Sequence, residues 1–173
     1  MKTKKMELKY DDNNSTSILG EYIHPYFHNE IVVVCIGTDK CIGDCLGPLV
    51  GTMLKNKKFP FHIYGTLKNP IHAINIKERI DYIKKKHPFG FIIAIDACLG
   101  EKNDVGKIQI RNKPIYPGKG VGKKLPSIGD ISIIGIVDIS QGFTGFSLHN
   151  VRLSLIMDMA EVIADSLVYA YKK

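Results

Sequence analysis

Two aspartates stand where an α/β chain does chemistry. Asp96 closes the apolar run FIIAID (91–96), and Asp44 lies in the loop GTDKCIGDCLGP (37–48) that follows the apolar run IVVVCI (31–36). A carboxylate at the tip of a buried strand is partly desolvated, which costs free energy unless it is paired or protonated. If both acids meet in one cleft, their repulsion raises one apparent pKa and leaves one acid and one base, the pair that hydrolysis needs. Capping a helix or bonding loop amides is the competing role for each. Asp39 shares the loop with Asp44 but sits closer to the strand and farther from the helix start.

Other side chains qualify as helpers. Thr38, Gly43 and the amides of the following helix start are candidates to hold an oxyanion. His72 and Asn75, in NPIHAIN (69–75), follow a second predicted strand and are candidates for binding substrate, with a turn-bracing role competing for His72. His149, near the start of the last predicted helix, is a candidate third corner beside the two acids. Mixed imidazole and carboxylate donors suit a divalent ion such as nickel or zinc, although a surface or capping histidine is the alternative. Cys41 and Cys45 are spaced C-x3-C with no second such pair, so reduced thiols are expected for these and for Cys35 and Cys98. The segment GKGVGKK (118–124) resembles a phosphate-binding loop, but it has one residue too few between its outer glycines and leads into Leu125 and Pro126. It is read as a loop bordering the cleft.

These residues need a scaffold, and the hydrophobic pattern supplies one. Residues 31–36 are continuously apolar and mostly β-branched, the mark of a strand buried on both faces. Proline at 48 fits the first turn of a helix over 49–57, strands follow over 61–64 and 89–95, and between them 74–86 reads as a helix with Ile76, Ile80 and Ile83 on one face. Strand, helix, strand, helix, strand implies parallel pairing with right-handed crossovers. Shorter strands are expected at 107–111 and 131–137, a helix at 15–26 capped by Ser15 or Thr16, and a long helix over 147–173. The expected fold is a three-layer α/β/α domain with a mostly parallel sheet, spanning 15–173 behind a flexible basic tail at 1–14. In such sheets ligands bind outside the carboxyl ends of the strands, which is where both acids fall.

Composition narrows the classes. The chain has 173 residues, 45% hydrophobic and 24% charged, a globular balance that fits one domain. No apolar run is long enough for a membrane span and the first residues lack the apolar stretch of a signal peptide, so a cytoplasmic protein without a membrane partner is expected. A net charge of +7 biases encounters toward anions. The lysines are scattered and carry no recognition motif, so nucleic acid is not expected as a specific partner.

Four blocks, IGTDKCIGDCLGPLVG (36–51), GTLKNPIHAIN (65–75), AIDACLG (94–100) and PGKGVGKKLPSIGD (117–130), resemble the YyaC-type sporulation proteins of spore-forming Firmicutes. That group is similar in turn to the spore germination protease, whose aspartic chemistry uses an Asp in an Asp-Ala-Leu-Gly-Pro loop and another in an Ile-Asp-Ala strand end. The resemblance implies that Asp44 and Asp96 are catalytic and that the substrate is a protein or peptide, small spore proteins among them. It implies a sporulating bacterial cytoplasm as the setting; a homo-oligomer of unspecified size is expected separately. The hydrogenase maturation proteases are similar more loosely, and by that likeness Asp44, Asp96 and His149 would bind nickel; otherwise no cofactor is expected. The chain is much shorter than the germination protease and shows no counterpart of its propeptide. A silent peptide-binding factor and a metal-dependent maturation protease therefore stand beside the peptidase reading.

Overall fold

Five residues read as part of a loose tail turn out to be a strand. In the computed structural model, which describes residues 5–117, 126–140 and 151–173, β1 (Lys5–Lys9) pairs antiparallel with β5 (Lys107–Arg111), Met6 opposite Ile110 and Leu8 opposite Ile108. The correction has a local cause. Met6 and Leu8 alternate with charged residues, and this period-2 pattern turns them onto the core while Lys5, Glu7 and Lys9 face out. The lysine-rich composition hid it.

The remaining elements run α1 (Ser15–Ile23), β2 (Ile31–Cys35), α2 (Leu46–Asn56), β3 (His62–Tyr64), α3 (Ile76–Lys86), β4 (Phe91–Gly100), then β5, β6 (Ile131–Ile139) and α4 (Leu153–Lys172). They form one sheet in the order β1-β5-β6-β4-β2-β3. The pairs β2 with β3, β2 with β4 and β4 with β6 are parallel, and β5 joins β6 antiparallel. The fold is α/β with helices on both faces, as the strand and helix alternation requires.

Each face has its own core. Ile31, Val33, Ile93, Ile95, Ile131 and Ile133 pack against α1, α2 and α4. Val32, Val34, Ile92 and Ala94 turn to the other face, where Ile76, Ile80 and Ile83 of α3 cover them. Every residue of β2 is therefore buried, which explains its unbroken apolar sequence. In α3 the three isoleucines line one side and Lys84, Lys85 and Lys86 close the last turn, a favourable end for the helix dipole.

Helix bounds differ from the sequence expectation at several ends: α1 stops at Ile23 and α3 opens at Ile76. α1 starts from Asn14, in left-handed backbone at φ 66°, with Ser15 already inside the helix. α2 opens at Leu46, so Pro48 sits in its first turn. α4 opens at Leu153, later than expected, and residues 147–150 lie outside the described residues. None of the described helices is long and apolar enough to cross a membrane.

Candidate active site

Topology makes one crevice in this sheet. From β2 the chain crosses through α2 to β3 on one side, and from β3 it returns through α3 on the opposite face to β4 on the other side of β2. The connections leaving β2 and β4 thus diverge, and the gap between the carboxyl ends of those strands is a topological switch point. Asp44 follows β2 and Asp96 lies on β4 at that gap.

Asp96 is positioned by a mismatch in strand length. β2 ends where Cys35 pairs with Ile95, and the Ile36 amide donates to the Ile95 carbonyl at 2.8 Å. Asp96 is the next residue along β4. On its other side β4 stays paired with β6, Asp96 opposite Ile134, so the strand runs on to Gly100 instead of ending at Ile95. The backbone is thus held rigid on one side and open on the other, and the Ala97 amide donates to Asp96 Oδ1 at 2.9 Å.

Asp44 is positioned by tight backbone closure. The loop after β2 folds into a short 3-10 turn, Ile42–Cys45, that runs directly into α2. Gly37 at φ 138° begins the loop, and a Cβ there would meet the Asp44 carbonyl oxygen at 2.0 Å. Only glycine lets the Thr38 amide reach that oxygen, at 3.0 Å. Gly47 does the same for the helix, since its Cβ would lie 2.1 Å from the Ile36 carbonyl oxygen. The two glycines hold the start of α2, and Asp44 with it, against the end of β2.

A third segment closes the gap. The Gly37 amide donates to the Ile71 carbonyl at 2.8 Å, and Ile36 bridges Ile71 in parallel fashion, so the loop between β3 and α3 is drawn alongside β2. Asn75 fixes its shape: Oδ1 accepts from the His72 amide at 2.9 Å and Nδ2 donates to the Pro70 carbonyl at 3.0 Å. In the neutral ring His72 Nδ1 accepts from the Ile74 amide at 3.4 Å; when protonated, the ring is near enough to Asp44 for its charge to favour the ionised carboxylate.

The electrostatics follow from burial. Loss of solvent raises the Asp44 pKa from 3.8 to about 6, against the opposing pull of the Thr38 amide and His72. Asp96 is pushed well above the usual carboxylate range, first by burial and then by the negative charge of Asp44, and the Ala97 amide offsets only part of this. The acids are therefore close enough to couple, and the first proton leaves mainly from Asp44.

Of the residues expected from sequence, Asp44, Asp96, Thr38, Gly43, His72 and Asn75 all belong to the three segments that meet here. Their roles separate. The Thr38 amide is already engaged by Asp44, the Thr38 hydroxyl accepts from the Lys40 amide at 3.3 Å, and Asn75 braces the loop from within. Gly43 is buried in the turn ahead of Asp44. His149 and the 118–124 loop lie outside the described residues. Lys68, Asn69 and Arg79 were not anticipated; with Pro70, His72 and Asn75 they line an adjoining cleft, where Arg79 Nε is buried without a hydrogen-bond partner among the described residues. Arg79 lies four residues after Asn75, the residue that caps α3, a spacing that places it over Asn75 at the cleft.

Among the described residues, Asp44, Asp96 and His72 do not bring one ligand atom each within 4.8 Å of one another, and Asp96 favours its protonated form. No disulfide links the cysteines, and burial pushes the thiols of Cys35, Cys45 and Cys98 up, away from the thiolate a metal needs.

Residues 6–166 match the family described as Protein of unknown function (DUF1256), and the chain belongs to it. It is 49% identical over 152 residues to the Uncharacterized protein YyaC of Bacillus subtilis, covering 87% of this chain and 74% of that one. The NiFe hydrogenase maturation protease HycI of Thermococcus kodakarensis aligns over 85% of this chain and 99% of its own, at 20% identity and a TM-score of 0.47.

Proposed function

We propose that this member of the DUF1256 family is a peptidase in which Asp44 and Asp96 work as one proton-sharing pair. The observation that carries the reading is placement: two buried acids from separate segments, Asp44 in the turn after β2 and Asp96 on β4 just past the end of β2, meet at the switch point, where burial raises Asp44 to about 6 and Asp96 well above the carboxylate range. Near neutral pH the pair carries a single proton, the state a water-activating carboxylate dyad requires.

The roles follow from the order of ionisation. Asp44, charged first, takes a proton from a water molecule placed between the carboxyls as the water oxygen attacks the peptide carbonyl carbon. Protonated Asp96 donates a hydrogen bond to the carbonyl oxygen as negative charge develops there. Collapse of the tetrahedral intermediate breaks the C–N bond, and the departing amine takes a proton from the pair, which returns to its starting state. A protonated His72 adds a small pull toward ionised Asp44, and Asn75 holds the loop that carries His72. The substrate is an unfolded segment of a protein, small spore proteins in the cytoplasm of a sporulating cell being the class the family resemblance favours, and the enzyme acts as a homo-oligomer.

The test is cleavage of an unfolded small spore protein by the purified chain across pH. Activity rises as Asp44 ionises near pH 6 and falls where Asp96 loses its proton. Binding of the spore protein with no new termini by mass spectrometry at any pH between 5 and 9 would replace the peptidase with a peptide-binding factor.

A further inference from the structure

The opposite edge of the sheet holds a second constellation that the aspartate chemistry does not use. Glu30 immediately precedes β2, His62 opens β3, and His87 follows α3 just ahead of β4. The three strands are parallel neighbours, so their amino ends lie side by side. Glu30 Oε1 is 2.7 Å from His87 Nδ1 and 3.6 Å from His62 Nε2. The imidazole centroids are 4.2 Å apart, and one donor atom from each of the three residues falls within 4.8 Å of the other two.

We propose that Glu30, His62 and His87 form a zinc-binding site. Two imidazole nitrogens and one carboxylate oxygen are a three-ligand zinc set that leaves a fourth tetrahedral position for water. The exposures fit that arrangement, since the His87 side chain is 4% exposed while those of Glu30 and His62 are 49% and 52% exposed. The buried ligand anchors the site from below and solvent reaches the ion from above.

The backbone holds each ligand in place before any ion arrives. The Phe91 amide donates to the Glu30 carbonyl at 2.8 Å, the His87 amide donates to the Ile83 carbonyl at 2.9 Å, and His62 is registered against Val32 of β2. A partner also orients the buried ring: Tyr64 Oη lies 2.8 Å from His87 Nε2. A ligating histidine commonly uses its second ring nitrogen in this way, which fixes tautomer and orientation. With zinc on Nδ1, the ring proton sits on Nε2 and the Tyr64 oxygen accepts it. Without zinc, Nδ1–H donates to Glu30 and Nε2 accepts from the Tyr64 hydroxyl. The exchange between the two states moves one proton across the ring and keeps the hydrogen bond between His87 and Tyr64 in both.

This site is independent of the peptidase reading, and its test does not depend on activity. Untagged full-length protein is stripped with a chelator, dialysed against zinc chloride, desalted and measured for zinc per chain by mass spectrometry of the metal. One equivalent is expected for the wild type and equally for Asp44→Asn. Glu30→Gln and His62→Ala alter half-exposed side chains and leave the fold intact by circular dichroism, and each should reduce zinc affinity at least tenfold. Tyr64→Phe, which touches no ion, should weaken it by about 10–100-fold. Well under one equivalent in the wild type overturns the proposal, and so does undiminished retention in Glu30→Gln and His62→Ala. Loss of zinc in Asp44→Asn would place the ion at the other edge and overturn it equally.

Discussion

At the carboxyl edge of the sheet Asp44 and Asp96 bring like charges together in a desolvated gap, and burial pushes both away from ionisation. At the amino edge Glu30 lies between two histidines, and both nitrogens of the buried His87 have partners, Glu30 and Tyr64. The same strands, β2 and β4, border both sets. The amino edge pairs opposite partners, whereas the carboxyl edge sets two buried like charges against one another. Such tension belongs at a reacting site, because a pair that titrates apart can give and take protons near neutral pH.

Removing the tension should have the largest effect. Asp44→Asn and Asp96→Asn each keep the side-chain shape but delete a titrating oxygen, and each should lower kcat by about 10²–10⁴-fold in the spore-protein cleavage assay. The double variant should be little worse than either single one, because residues acting as a unit are not additive. Two independent, multiplying losses would mean the acids do not share a proton.

The packing that delivers Asp44 comes next. Gly47→Ala puts a methyl group against the Ile36 carbonyl oxygen, and chemical denaturation should show a loss of about 1–3 kcal/mol, typical of overpacking. At the amino edge His62→Ala, on a half-exposed side chain, should move the midpoint little in zinc-free buffer.

A subtler contrast concerns stability against pH. Asp44 ionises at 3.8 when unfolded and about 6 when folded, so the native state binds more protons in that window and stability falls as pH climbs through it. Asp44→Asn escapes the loss. Its melting curve should match the wild type near pH 4 and exceed it at pH 8 by about 1–3 kcal/mol, the upper figure being discounted for partial exposure. A variant less stable than wild type at pH 8 would contradict the burial account. The smallest effect belongs to His72. Its charge favours ionised Asp44, so His72→Asn should move the rising limb of activity upward by a fraction of a unit, with kcat at the plateau nearly unchanged.

How much of this could be read from the residues follows their physics. The buried parallel strands were legible because burial on both faces forces unbroken β-branched runs, as in Ile31–Cys35. With the strands came the position of Asp44 and Asp96, since the carboxyl ends of adjacent parallel strands must lie together. β1 was not legible, because its alternation of lysine and glutamate with Met6 and Leu8 is short and highly charged. The continuation of β4 past Ile95 was missed for another reason: Asp96 stops the apolar pattern, but pairing with β6 continues through it. The amino-edge trio carries no local motif. A signal was present all the same, for Glu30, His62 and His87 hold matching positions ahead of or at the start of three adjacent strands, and reading both ends of a parallel sheet would find them.

The central claim, that Asp44 and Asp96 are coupled in one gap, is tested most directly by a carbon-13 NMR titration of the aspartate carboxyls. In the wild type the account predicts that Asp44 titrates near 6 and Asp96 well above the carboxylate range, and that in Asp44→Asn the Asp96 midpoint falls because the neighbouring charge is gone. An Asp44 midpoint near 3.8, together with an Asp96 midpoint that Asp44→Asn leaves unmoved, would show two separate structural acids and contradict the account.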